Sequence, residues 1–197
     1  THRCGWHNYY QEVTSLAKEQ QNTQGLQKLK ADLKAKTFDR LYIFYGEETF
    51  LQHYYLDRVK NALVDELTES FNFHKFTQET FDIREFDDAM NNLPMMAEST
   101  FILVDDIDLF KLAEDDRNWI ADCLSQIPEY CTVVFTYETV EWKPDKRYKT
   151  LWEAIDKNAT IVQFAKQSER DLVTWIMRHF AAEGKKINPN LCVYLME

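Results

Sequence analysis

The sequence has 197 residues, 45% of them hydrophobic and 14% aromatic, which suffices for a buried core and excludes wholesale disorder. Acidic residues outnumber basic ones, 33 to 23, and the formal charge is -10. Such a chain cannot hold a phosphate backbone by its own electrostatics, so any work near DNA requires a partner to supply positive surface.

Residues 1–24 are polar and Gln-rich in their second half, and read as an N-terminal extension. The cluster His2, Cys4 and His7 lacks metal-finger spacing, so no metal site is expected there. Leu26, Leu29 and Leu33 then keep a helical spacing just ahead of a first β-rich run, Leu41–Tyr45. Four more such runs follow: Phe71–Phe76, Phe101–Asp105, Thr132–Thr136 and Thr160–Phe164. Helical patterns separate them. Leu51, Tyr55, Val59, Ala62 and Leu63 share one face, and Asp82 with Glu85 caps a helix carrying Phe86, Met90 and Leu93. Trp119, Ile120, Cys123, Leu124 and Ile127 mark a third helix, and Tyr148, Leu151, Trp152 and Ile155 a fourth after Asp145. Strands alternating with helices predict an α/β three-layer sandwich with a five-stranded, mostly parallel sheet.

Beyond the fifth strand the pattern is helical only. Ser168 and Asp171 form a capping box before Leu172, Trp175, Ile176 and Phe180, Gly184 stops that helix, and Asn188-Pro189 opens another. Residues 167–197 therefore read as the start of a second, helical domain, cut short. Cys4, Cys123, Cys131 and Cys192 have no paired spacing and are expected as free thiols. The longest apolar runs are of strand length and no signal-peptide pattern opens the chain, so no membrane span and a cytoplasmic location are expected.

In an open α/β sheet, chemistry gathers at the carboxyl ends of the strands. The first strand ends Tyr45-Gly46-Glu47-Glu48-Thr49. A P-loop at this position needs several glycines and a lysine to cradle phosphate. One glycine and two carboxylates repel a triphosphate instead, so no nucleotide cofactor is expected. The third strand ends in Asp105-Asp106, either a Mg²⁺-holding acid pair or two solvated acids of a buried strand. Glu47, Glu48, Asp105, Thr136 and Lys166 also allow a phospho-acceptor domain, with Asp105 attacking phosphorus. Ahead of the third strand lies Leu93-Pro94-Met95-Met96, where Pro94 is expected to end the helix. Two adjacent methionines either reach outward to a partner's hydrophobic pocket or fold back beneath the loop.

Several stretches together resemble, in order and spacing, the delta subunit family of the bacterial DNA polymerase III clamp loader. They are Leu41–Leu51 (LYIFYGEETFL), Phe71–Phe76 (FNFHKF), Leu93–Val104 (LPMMAESTFILV) and Asp145–Trp152 (DKRYKTLW). Ala159–Ile176 (ATIVQFAKQSERDLVTWI) and Glu183–Leu195 (EGKKINPNLCVYL) continue the likeness, and Tyr45, Gly46, Glu48 and Leu51 fit a Y-G-x-E-x-x-L motif. The resemblance implies a non-catalytic subunit in DNA replication: an AAA+-like clamp-binding domain over 25–166 without a working P-loop, then a truncated helical lid over 167–197. Its implied partners are the sliding clamp, or beta subunit, whose ring it helps to open, and the delta prime and tau/gamma subunits. The latter are held through a C-terminal collar missing from this sequence, with DNA contacted only within the complex. The implied clamp-binding element is Leu93, Pro94, Met95 and Met96, with the methionines at positions where relatives often carry Leu or Phe. Gly46, Glu47, Glu48 and Thr49 occupy the degenerate P-loop position. An ATP-hydrolysing AAA+ subunit and the phospho-acceptor domain stand as alternatives.

Overall fold

The computed structural model describes residues 24–166 and 168–195. Residues 24–35 form helix α1, followed by β1 (Leu41–Tyr45), α2 (Thr49–Leu63), a short α3 (Glu69–Asn72) and β2 (Phe73–Phe76). Next come α4 (Ile83–Asn91), β3 (Thr100–Asp105), a 3-10 turn at Leu109–Lys111, α5 (Glu114–Ser125) and β4 (Cys131–Tyr137). Helix α6 (Lys149–Asn158) and strand β5 (Ala159–Gln163) complete the first of two compact units, which ends at Phe164. The second unit begins at Ala165 and contains α7 (Glu169–Ala182) and α8 (Pro189–Tyr194).

The five strands pair in parallel in the order β2-β3-β4-β1-β5. Parallel strands need crossovers, and helices supply them, covering both faces of the sheet. This is why β3 and β4 are mainly apolar, with Thr100, Thr132 and Thr136 among their residues, and buried throughout apart from the half-buried Asp105. Alternate residues serve opposite layers. Leu41, Ile43, Ile102, Val104, Val133 and Phe135 join one core cluster with Phe86, Met90, Ile120, Leu124, Leu151 and Ile155 of α4, α5 and α6. On the other face Phe44 meets Phe164 edge-on, with ring centroids 5.2 Å apart, and Phe164 packs against Tyr55 of α2 at 5.9 Å. Leu29 of α1 is fully buried. At the β5 edge α1 comes so close that a β-carbon on Gly25 would lie 2.0 Å from the Ile161 carbonyl oxygen.

Three expected helix starts are realised through side-chain caps. Asp82 accepts the N–H groups of Arg84 and Glu85 at 2.8 and 3.1 Å, Ser168 accepts that of Asp171, and Asn188 that of Asn190. Ile127 falls just beyond α5 and Phe164 just beyond β5, and two further expectations shift. The second strand begins at Phe73, because the N–H groups of Phe71 and Asn72 both return to the Thr68 carbonyl in a helical turn. Helix α4 stops at Asn91, and Leu93 leaves its expected place on the buried face. Proline disfavours helical backbone in the residue before it, so Leu93 cannot prolong the helix into Pro94.

Among the described residues no helix is long and apolar enough to cross a membrane. Cys123, Cys131 and Cys192 are free and buried, while the His2, Cys4 and His7 cluster lies outside the described residues. Burial pushes the Cys123 and Cys131 thiols up to about 12, with Asp87 beside Cys123 adding to the effect. The thiolate is the reactive form. Both cysteines are therefore expected to resist iodoacetamide at pH 8 in the folded protein and to react fully in urea, as read by peptide mass spectrometry.

Candidate functional site

The loop leaving β1 is closed against the end of β5. Phe164 donates its N–H to the Tyr45 carbonyl at 2.7 Å, and its own carbonyl accepts the Glu48 N–H at 3.0 Å. Gly46 has a φ of 136°, and a β-carbon there would fall 2.2 Å from the Phe164 carbonyl oxygen. Close approach of two backbones, together with that φ, explains the glycine. A phosphate cradle needs several free N–H groups converging on one point. Here the Glu48 N–H is engaged within the protein, Glu47 and Thr49 face solvent, and Glu48 is half-buried.

The two acids at the end of β3 have separate structural partners. Thr136, opposite Asp105 on β4, donates its hydroxyl to one Asp105 oxygen, and Lys75 of β2 pairs with the other at 2.6 Å. Asp106 adopts a left-handed φ of 55° and turns its carboxylate under the chain leaving β4. There it accepts the N–H groups of Glu138, Thr139 and Val140 at 2.8, 3.1 and 3.1 Å, and the Thr139 hydroxyl at 2.8 Å. Burial pushes the Asp106 carboxyl upward, but these donors together outweigh it and hold the group below the ordinary carboxylate range. The pair is thus not simply solvated: Thr136 and Lys75 engage Asp105, and the chain leaving β4 engages Asp106. Of the phospho-acceptor set, Asp105 and Thr136 do meet, whereas the ammonium beside Asp105 belongs to Lys75 and Lys166 is exposed in the second unit.

The segment 92–99 contains no helix or strand, yet it is held at both ends and in the middle. At its start the Tyr130 hydroxyl donates to the Asn91 carbonyl at 2.9 Å, and at its end the Ser99 hydroxyl donates to the Leu63 carbonyl at 2.7 Å. Between them, the buried side chain of Asn72 embraces Met95. Its Oδ1 accepts the Met95 N–H at 2.7 Å and its Nδ2 donates to the Met95 carbonyl at 2.9 Å. Met96 follows in left-handed backbone, φ 55°, which is uncommon for a long side chain. Both methionines point outward, 54% and 91% exposed. Of the two readings open to the sequence, the structure has the outward one. Asn72 was the residue that sequence reasoning passed over; a lone amide inside the aromatic run Phe71–Phe76 was the available signal.

Removing Asn72 leaves the Met95 backbone groups without partners. Asn72→Ala is expected to lower unfolding free energy by about 1–3 kcal/mol in urea titrations. Asn72→Asp, which at neutral pH buries a carboxylate and turns one of its oxygens against the Met95 carbonyl, should cost at least as much as the alanine variant. For Asp106 the pH dependence has a definite sign. Its folded pKa is depressed, so its contribution is complete above the unfolded value of about 3.9 and is lost as pH falls through the folded value. In Asp106→Ala the melting temperature should be lower at pH 7, and its decline on acidification shallower than in the parent.

Comparison with known proteins adds the following. The family model described as DNA polymerase III, delta subunit, matches residues 42–165. The structure resembles the Bacillus subtilis DNA clamp loader delta protein (YqeN), with a TM-score of 0.63 and 19% identity, over 85% of this chain and 50% of that one. A Thermotoga maritima DNA polymerase III, gamma subunit-related protein gives a TM-score of 0.51 at 15% identity, over 85% and 57% of the two chains. The fold is therefore AAA+-like, and the chain spans about half the length of the Bacillus protein. None of the curated proteins matches it in sequence. With the family match running from β1 past β5, across well over half of the sequence, the chain belongs to the DNA polymerase III delta subunit family.

Proposed function

We propose that this chain grips the sliding clamp of DNA polymerase III through Met95 and Met96 and helps to open its ring, without itself turning over ATP. The observation that carries this reading is the outward pair on an irregular but internally hydrogen-bonded segment. Apolar side chains held in water are costly unless something covers them, and burial of each in a partner's pocket contributes roughly 1.5–3 kcal/mol. Methionine is flexible and polarisable, which suits it to a pocket that other relatives fill with Leu or Phe. A ring is opened by a partner that binds the open state more tightly than the closed one. The sheet beneath the methionines supplies the stiffness that such discrimination needs.

The loop at Gly46 supports the non-catalytic part of the proposal, since its backbone is occupied by Phe164 and its side chains are acidic. With a net charge of -10, the chain reaches DNA only inside an assembly whose other members bring positive surface. Delta prime and tau/gamma subunits are the partners proposed for that assembly.

Met95→Ala combined with Met96→Ala is expected to weaken binding to purified sliding clamp by about tenfold or more, measured by surface plasmon resonance, with an unchanged melting temperature. Unaltered affinity in the double variant would remove these residues from the interface. Calorimetry with Mg-ATP is expected to show no saturable heat, and treatment with a small phosphodonor to leave Asp105 unphosphorylated. Turnover, or acid-labile phosphate on Asp105, would favour an enzyme instead.

A further inference from the structure

Exposed apolar side chains in the first unit gather on two neighbouring segments. Leu67 and Phe71 are 89% and 56% exposed on one; Leu93, at 78%, stands with Met95 and Met96 on the other. Elsewhere in that unit, among the described residues, only Phe50 and Trp119 are large hydrophobics of comparable exposure. The two segments form one object, because Asn72, adjacent to Phe71, clasps the Met95 backbone from both sides. The Ser99 hydroxyl ties the second segment to the Leu63 carbonyl, just ahead of the first.

Local hydrogen bonding fixes the outward placement of Leu67 and Phe71. The Asp65 carboxylate accepts the Leu67 N–H at 2.8 Å, the Thr68 N–H returns to the Asp65 carbonyl, and the Phe71 N–H to the Thr68 carbonyl. Leu67 lies in the turn that leads into α3 and Phe71 within that helix, and both side chains face solvent. Five large apolar side chains exposed on two segments that are bonded to each other mark a contact surface.

Charge narrows the kind of partner. Glu66 and Glu98, one on each segment, are exposed and make no ion pair among the described residues, whereas Glu69 is paired with Lys60 at 2.6 Å. An apolar centre with an acidic border fits an apolar hollow bordered by lysine or arginine side chains. We infer that the gripping surface continues from Met95 and Met96 onto Phe71 and Leu67, and that its occupant is a protein pocket with a basic rim. The inference rests on the clamp reading and extends it: the contact has two segments, with Asn72 joining them.

Binding of this chain to purified bacterial sliding clamp tests it. Leu67→Ala with Phe71→Ala is expected to weaken binding about tenfold, and Phe71→Lys to weaken it at least as much. Glu66→Lys with Glu98→Lys should weaken binding most at low ionic strength, where screening is least. Each variant is accepted only with the parent's circular-dichroism melting profile, which these exposed positions should preserve. Parental affinity in both Phe71 variants, alongside loss in the Met95/Met96 double variant, would confine the grip to the methionines and overturn the inference alone. Parental affinity in the methionine variant as well would overturn the clamp reading, and the inference with it.

Discussion

The Asn72 amide is buried, and a buried amide that lacks partners costs about 1–3 kcal/mol. Its two polar atoms find both of their partners on the backbone of one residue, Met95. In effect the amide replaces a neighbouring strand, offering an acceptor and a donor at ladder distances to a segment that has no strand beside it. The irregular backbone of 92–99 is thereby held by specific bonds even though it belongs to no helix or sheet. With Met95 fixed and Met96 in a left-handed conformation, the outward direction of the two methionines follows from backbone geometry. The helical turn that carries Asn72 also carries Phe71, so one side chain sets the spacing of both exposed segments.

At the other end of the strands, the positions that serve nucleotide chemistry in many α/β folds are given to internal bonding. Phe164 occupies the backbone of the Gly46 loop, Lys75 and Thr136 engage Asp105, and Asp106 gathers the chain leaving β4. Each uses a feature that nucleotide-binding proteins also use: a glycine at a close approach, an acid beside a cation, a carboxylate among N–H groups. Here these features join β1, β2, β3, β4 and the chain leaving β5 at one rim. The sheet end becomes a stiff mount for the rest of the unit.

Much of this architecture was legible in the residues. Apolar runs at Leu41–Tyr45 and Phe101–Asp105 gave strands, and Asp82, Ser168 and Asn188 announced helix starts through a chemistry that acts within a few residues. What could not be read depends on partners distant in sequence. Nothing near Asn72 shows that its amide will meet Met95, and Phe71 looks like the first residue of a strand until Thr68 claims its N–H. Asp105-Asp106 has the same letters whether it holds a cation, water or a loop. For the candidate site, the position of Met95 and Met96 was readable and their outward aim was not, since aim is decided by the Asn72 bonds and by the φ of Met96.

The tight meeting of α1 with β5 at Gly25 and Ile161 bears on how such a chain is made. A sheet edge presents a row of unsatisfied peptide groups, a template on which stray strands grow. Helix α1 lies near the start of the described chain and β5 near the end of its unit, so a ribosome releases the guard long before the strand it guards. When β5 emerges, the segment that covers its outer flank has already left the ribosome. A bulkier side chain in place of Gly25 would hold that helix away from the edge and leave the newborn sheet open to its neighbours on the polysome.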